Sequence, residues 1–203
     1  MLDNRKEEII MATLRLASEK GLGAVSMNMI AESVGIKKPS LYNHFKSKDE
    51  LIDSMYQYLR ERAKEKANVE INFSFFESMP INDILKTMVN NYITMNNESN
   101  VKMFYKVMYS ERAISKVAAK IILSETERMI NATKEIFLIC EEKNLLKFED
   151  VQLSATSFAL TIHGFMDYAY DKEFCMSETP DKIKLLINRY IDIFCNEHKI
   201  KGK

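Results

Sequence analysis

Glycine is scarce in this 203-residue chain: there are 5, and between Gly35 and Gly202 only Gly164 interrupts. That scarcity excludes a glycine-rich phosphate loop or a dinucleotide fingerprint, both of which need several glycines close together. Proline is rarer still, and Pro39, Pro80 and Pro180 all stand where a helix would begin. The three cysteines, Cys140, Cys175 and Cys195, are odd in number and far apart, which argues against a disulfide framework or a zinc site. Cys140 and Cys195 fall on or beside apolar helical stripes, where a thiol behaves as a small hydrophobe. No run approaches eighteen apolar residues and the N-terminus has no apolar leader, so a cytoplasmic protein with no membrane partner is expected. Net charge is zero, so any attraction to nucleic acid must come from local charge.

What remains is a chain patterned for helices, and an all-α fold is expected. Residues 4–20 repeat apolar positions at Ile10, Thr13, Leu14 and Ala17, and Gly21 stops them. Ser26 can cap a short second helix carrying Met29, Ile30 and Val34 along one face. Gly35 permits a left-handed turn, Ile36 points back into the angle, and Pro39 suits the first turn of a third helix. Leu41 and Phe45, four apart, give that helix its buried side, while Lys37, Lys38, Ser40, Tyr42, Asn43 and His44 face outward. Between Gly35 and Ser47 there are lysines at 37, 38 and 46 and no acid, and Lys48 follows. Cations for phosphates beside short polar groups for base edges are the chemistry of a major-groove reader. The alternative is a solvated basic helix on a small three-helix core.

The pattern Ile30-Ala31-x-x-x-Gly35-Ile36-x-x-x-x-Leu41-Tyr42-x-His44-Phe45-x-x-Lys48-x-x-Leu51 resembles the DNA-binding domain of the TetR family of bacterial transcriptional regulators. The resemblance covers roughly residues 5–60; beyond it only length and helical pattern agree. It departs at Lys37, where the family often has a serine or threonine able to cap the recognition helix. The resemblance implies that Lys38, Pro39, Ser40 and Asn43 meet base edges, and that Ser26, Lys37, Tyr42, His44 and Lys48 hold phosphates. The expected organisation is a helix-turn-helix DNA-binding domain at 1–47, a connector helix at 48–66, and a helical effector-binding and dimerisation domain at 67–203.

Ser47-Lys-Asp-Glu50 reads as a capping box, with the Glu50 carboxylate returning to the Ser47 N–H. Leu51, Ile52, Met55, Tyr58 and Leu59 would then line the inner side of the connector. Further helices are expected at 81–96, around 101–109, at 113–143, at 149–172 and at 180–197. Phe73, Phe75, Phe76 and Met79 precede them as core filler at the domain boundary. The last two helices carry apolar residues off the main stripe, Leu153 and Leu160 on one and Leu185 and Ile193 on the other. A second apolar side calls for a second partner surface, so a homodimer through these helices is expected.

Thirteen methionines, with Phe and Tyr concentrated between 73 and 109, suit an adaptable apolar interior. Such a stripe is more often simply core; the family resemblance implies a small-molecule effector pocket, with Met88, Tyr92, Met103, Phe104, Met108, Phe137, Phe158 and His163 as its candidate lining, for a bulky apolar or weakly polar compound. No catalytic motif, cofactor or metal pattern is evident, so an enzyme is not expected. The remaining alternatives are a helical sensor or carrier without DNA binding, and an enzyme using His163 and Asp167 as an acid–base pair. The reading adopted is a one-component repressor that binds a pseudo-palindromic double-stranded operator and is released by its effector.

Overall fold

The computed structural model describes residues 4–67, 79–177, 179 and 181–200. The expected aromatics Phe73, Phe75 and Phe76 and the helix-starting Pro180 lie outside these. Among the described residues there are nine helices: α1 Asn4–Lys20, α2 Met27–Ser33, α3 Lys38–His44, α4 Lys48–Ala67, α5 Ile81–Asn96, α6 Ser99–Glu111, α7 Lys116–Glu142, α8 Val151–Met176 and α9 Asp181–His198. None of them is long and apolar enough to cross a membrane.

The chain packs as two compact units. The first takes residues 1–69 with 94–124, and the second takes 70–93 with 125–203. In the first, α1 buries Ile9, Ile10, Ala12, Thr13, Leu14 and Ala17. Thr13 is tolerated inside because its hydroxyl donates to the Ile9 carbonyl at 2.7 Å, so no polar group is left dry. Gly21 ends the helix at φ +79°, and its N–H closes on Ala17 O at 3.0 Å. α6 packs against both α1 and α4, adding Val101, Phe104, Val107 and Met108 to the same core. The first unit therefore recruits a helix distant in sequence to pack on α1 and α4.

The inner side of α4 is Leu51, Ile52, Met55, Tyr56, Leu59 and Ala63. Tyr58, expected inside, is half-exposed, and Tyr56 takes the buried place. The Tyr58 hydroxyl instead accepts from Arg62, whose guanidinium also pairs with Glu7 of α1 at 2.7 Å. A phenol with cations one turn away and a carboxylate in reach has polar partners at the surface that the core cannot supply.

The second unit is built on stacked rings. Phe137 of α7 lies 4.6 Å from Phe148, 5.4 Å from Phe194 and 5.5 Å from Phe158, centroid to centroid. Phe194 in turn stacks on His198 at 4.3 Å. α7 ends on Asn144 in the left-handed conformation (φ 54°), where Leu145 N–H reaches back to Cys140 O at 2.8 Å. α8 starts on an Asp150 cap to Leu153 N–H at 2.9 Å. Leu146 and Lys199 form an isolated antiparallel bridge, and Lys147 N–H donates to His198 O at 2.9 Å. Cys140 and Cys195 are buried, and burial pushes their thiols up to about 12 and about 11. At neutral pH both are protonated hydrophobes.

Leu153, Leu160, Leu185 and Ile193 are exposed, at 64%, 48%, 65% and 52%. Leu186, expected in the inner stripe of α9, joins them on the outside at 43%. That places three large aliphatic side chains of α9 in solvent in this single chain.

Candidate nucleic-acid interface

α2 and α3 are each seven residues long, too short to be stable alone, and the turn between them does most of the work of orienting them. Ser26 caps α2 by accepting from Met29 N–H at 3.3 Å. At the other end Gly35 adopts φ +69°, Gly35 N–H bonds Glu32 O at 3.1 Å and Ile36 N–H bonds Ala31 O at 3.0 Å. These two bonds are the Schellman arrangement, which satisfies the last carbonyls of α2 and reverses the chain within three residues. Ile36 then packs against the first unit's core.

α3 begins at Lys37, whose side chain makes no capping bond. Pro39 occupies the first turn, where a missing N–H costs nothing, and the Lys37 carbonyl accepts from Ser40 and Leu41. Lys37 is thus left exposed at the start of the helix, as its departure from the family pattern implied. Leu41 is 0% exposed and anchors the helix; Phe45, also buried, lies one residue past the helix end in an extended conformation. The Lys6 ammonium sits 5.7 Å over the Phe45 ring.

With Leu41 down, the opposite face of α3 is Lys37, Lys38, Pro39, Ser40, Tyr42 and Asn43, all exposed, with His44 half-buried at the last turn. Ser26 is exposed beside the start of α2. Lys48 differs from the rest. It is half-buried, its ammonium donates to the Leu22 carbonyl, and burial lowers its pKa against the opposing charges of Glu111 and Asp49. The structure also brings Arg5 to 3.5 Å from the Val34 carbonyl beside the α2–α3 turn, and exposes Asn28, whose amide bonds Glu32 at 2.6 Å. Sequence reasoning did not select either residue; for Asn28 the signal was available, since it lies in the first turn after the Ser26 cap.

A short exposed helix, basic and polar on one face and held by a glycine turn against its predecessor, is a helix-turn-helix reader. Residues 9–55 match the family described as bacterial regulatory proteins, tetR family. Over those residues the chain carries the DNA-binding pattern of the TetR family.

The chain is similar, at 29% identity over 144 residues, to the biofilm operon icaADBC HTH-type negative transcriptional regulator IcaR of Staphylococcus aureus (strain Newman). That match covers 65% of the chain and 75% of IcaR. It is also 33% identical over 89 residues to the uncharacterized HTH-type transcriptional regulator YerO of Bacillus subtilis (strain 168). There the match covers 43% of the chain and spans only 30% of YerO's length. Among solved structures, the flavonoid-responsive regulator FrrA superposes with a TM-score of 0.76 at 20% identity, over 98% of this chain and all of that one. Its likeness is one of fold. The match at residues 9–55 and the likeness to IcaR make the chain a DNA-binding transcriptional regulator; the matched family is one of regulators, not of enzymes.

The eight residues expected to line an effector pocket divide between the two units. Met103, Phe104 and Met108 belong to the first; Phe104 and Met108 are fully packed in its core. Met88, Tyr92, Phe137, Phe158 and His163 belong to the second, where Phe137 and Phe158 are members of the ring cluster. Tyr92 and His163 are brought together, hydroxyl to Nε2 at 2.8 Å. Burial lowers the His163 pKa, with Asp167 and then Glu125 acting the other way. The histidine's hydrogen-bond partner is therefore a phenol on α5, rather than the Asp167 one turn on that sequence spacing suggested.

A small cleft with a free interior of about 10 Å³, room for roughly one water, lies in the first unit between α4, α5 and α6. Its wall is Tyr56, Leu59, Arg60, Ala63, Met95, Asn96, Val101, Phe104 and Tyr105. Of the expected lining only Phe104 reaches it. Apolar spacing cannot show which core residues border an opening; that depends on how three helices meet.

Proposed function

We propose that the chain is a one-component repressor whose dimer places two copies of α3 in successive major grooves of a pseudo-palindromic operator, about one helical turn apart. In this reading Lys38, Pro39, Ser40 and Asn43 meet base edges, and Ser26, Lys37, Tyr42 and His44 meet phosphates, with Lys48 at the edge of the same surface. The observation that carries it is the outer face of α3: no acid, an unshielded Lys37 at its start, and a single buried anchor, Leu41. Residues 1–47 are then the DNA-binding domain, 48–66 the connector, and 67–203 the part that dimerises and responds to effector, with α6 lending its packing to the reader unit.

The dimer forms through α8 and α9, whose exposed leucines and isoleucine need cover. The effector enters the cleft beside α4. Its free interior is about 10 Å³, so a mainly apolar effector would have to part α4 from α6 to enter, with Arg60 and Asn96 as the polar groups of the wall. Occupying it would displace α4, and a differential affinity of about 1–3 kcal/mol between two dimer states is enough to weaken operator binding.

The test is fluorescence anisotropy of the purified protein on the intergenic DNA upstream of its own gene and on a scrambled duplex, over a salt series. Tight, specific and strongly salt-dependent binding is expected. Equal weak binding to both duplexes, together with no sequence recovered by selection from random DNA, would leave a sensor without an operator.

A further inference from the structure

Residues 21–25 join α1 to α2, and their backbone is gripped from two sides by side chains from elsewhere in the chain. Gly23 N–H donates to Glu111 Oε1 at 3.2 Å, across 88 positions of sequence. Glu111 is the last residue of α6. The Lys48 ammonium, from the first residue of α4, donates to the carbonyl of Leu22, next to Gly23. The same Glu111 oxygen lies 3.4 Å from where a Cβ on Gly21 would sit, ordinary van der Waals contact, so the carboxylate rests against the start of the loop, while glycine is required at 21 for its φ of +79°. Burial lowers the Lys48 pKa, and the Glu111 charge offsets part of that cost. One cation and one anion thus hold two adjacent residues, Leu22 and Gly23, and three residues after Gly23 the chain becomes Ser26, the cap of α2.

We infer that Glu111 is a positioning residue for DNA binding, which together with Lys48 pins the 21–25 loop and so sets where Ser26 and the first turn of α2 meet the phosphate backbone. Lys48 then acts through the loop, because its ammonium is directed to a backbone carbonyl. The inference rests on the DNA-binding reading. It also gives α6 a direct line to the reader, since the helix that walls the cleft with Val101 and Phe104 ends on the pin.

The sign of one substitution separates a pin from an ordinary surface acid. A carboxylate near nucleic acid repels phosphates, so removing an idle one tightens binding. Removing a pin weakens it. The experiment measures affinity for a duplex that the wild-type chain selects from random DNA, over a salt series, with thermal melting as the folding control. Glu111→Ala is expected to weaken binding about tenfold, the loss of one charge-assisted hydrogen bond that orders the site. Glu111→Gln, which keeps an acceptor for Gly23 N–H, is expected to lose about threefold. Binding by either folded variant as tight as wild type or tighter overturns the assignment. Lys48→Met is expected to weaken binding without changing the slope of log affinity on log salt; a slope smaller by about one would put the lysine on a phosphate and overturn its part. Amide exchange at Gly23 reads the pin with no DNA present. Faster exchange in Glu111→Ala supports it, unchanged exchange overturns it, and neither depends on whether an operator has been found.

Discussion

The reader helix and the ring cluster of the second unit are opposite solutions to one problem. α3 buries Leu41 and displays almost everything else, whereas Phe137 is 0% exposed with three other rings within 5.5 Å. A displayed face carries information and little stability, because its polar groups are as well solvated unfolded as folded. A stacked core carries stability and little information. Substitutions should therefore divide cleanly: those on α3 change what is bound, and those in the cluster change whether the chain is folded.

The sharpest way to break this division is Phe137→Ala. It should cost about 3–5 kcal/mol of unfolding free energy, read from urea titration, since the surrounding rings cannot close the gap. Ser40→Ala should stay within about 0.5 kcal/mol. A loss near 1 kcal/mol or less at Phe137 would mean that the cluster is loosely packed and the contrast is wrong.

Next in size is the outer face of α8 and α9. Leu153→Glu combined with Leu185→Glu alters two residues already in solvent, so melting of the single chain should barely move. Sedimentation should nonetheless show dimers becoming monomers. A variant that sediments as wild type would remove this face from the dimer.

Within the reader the comparison can be sharpened residue by residue. Lys37→Ala should weaken binding to specific and scrambled DNA alike and lower the salt slope by about one, as expected for a phosphate contact. Ser40→Ala should leave the slope alone and change which sequence is preferred. Equal losses on both duplexes for Ser40→Ala would remove it from the base edges.

The smallest effect concerns His163. Its folded pKa lies below the ordinary 6.5, mainly through burial, so below about pH 6.5 the unfolded chain takes up a proton that the native chain resists. Stability should fall as pH drops through that range. In His163→Gln the change in melting temperature between about pH 7.5 and about pH 5.5 should shrink. A variant with the full wild-type dependence would place the titration elsewhere.

Much of the reader was legible in the residues because its signals are local. Gly21 and Gly35 stop their helices with positive φ, Pro39 opens α3, and Ser26 and Ser47 accept from N–H groups three residues on. Even there the structure corrects one detail. The Glu50 carboxylate bonds Lys46 N–H at 2.7 Å, not the Ser47 N–H of a standard capping box. Phe45 N–H already closes on Leu41 O, so Lys46 holds the next open donor of the turn. Which residues border the cleft was not legible, since periodicity marks the side of a helix that is buried and not whether protein or empty space lies against it.

By itself the sequence determined where the helices of the reader start and stop, which face of α3 is displayed, and that Leu153, Leu160, Leu185 and Ile193 stay exposed; it placed the end of α8 four residues short of Met176 and Leu186 on the wrong side of α9. What it determined follows from backbone preferences and apolar spacing within a few turns. Only the tertiary structure decided that Tyr56 rather than Tyr58 turns inward, that Tyr92 meets His163, that α6 completes the reader's core, and that Glu111 reaches Gly23. Each of these depends on what a distant segment places opposite, and local spacing carries no record of it.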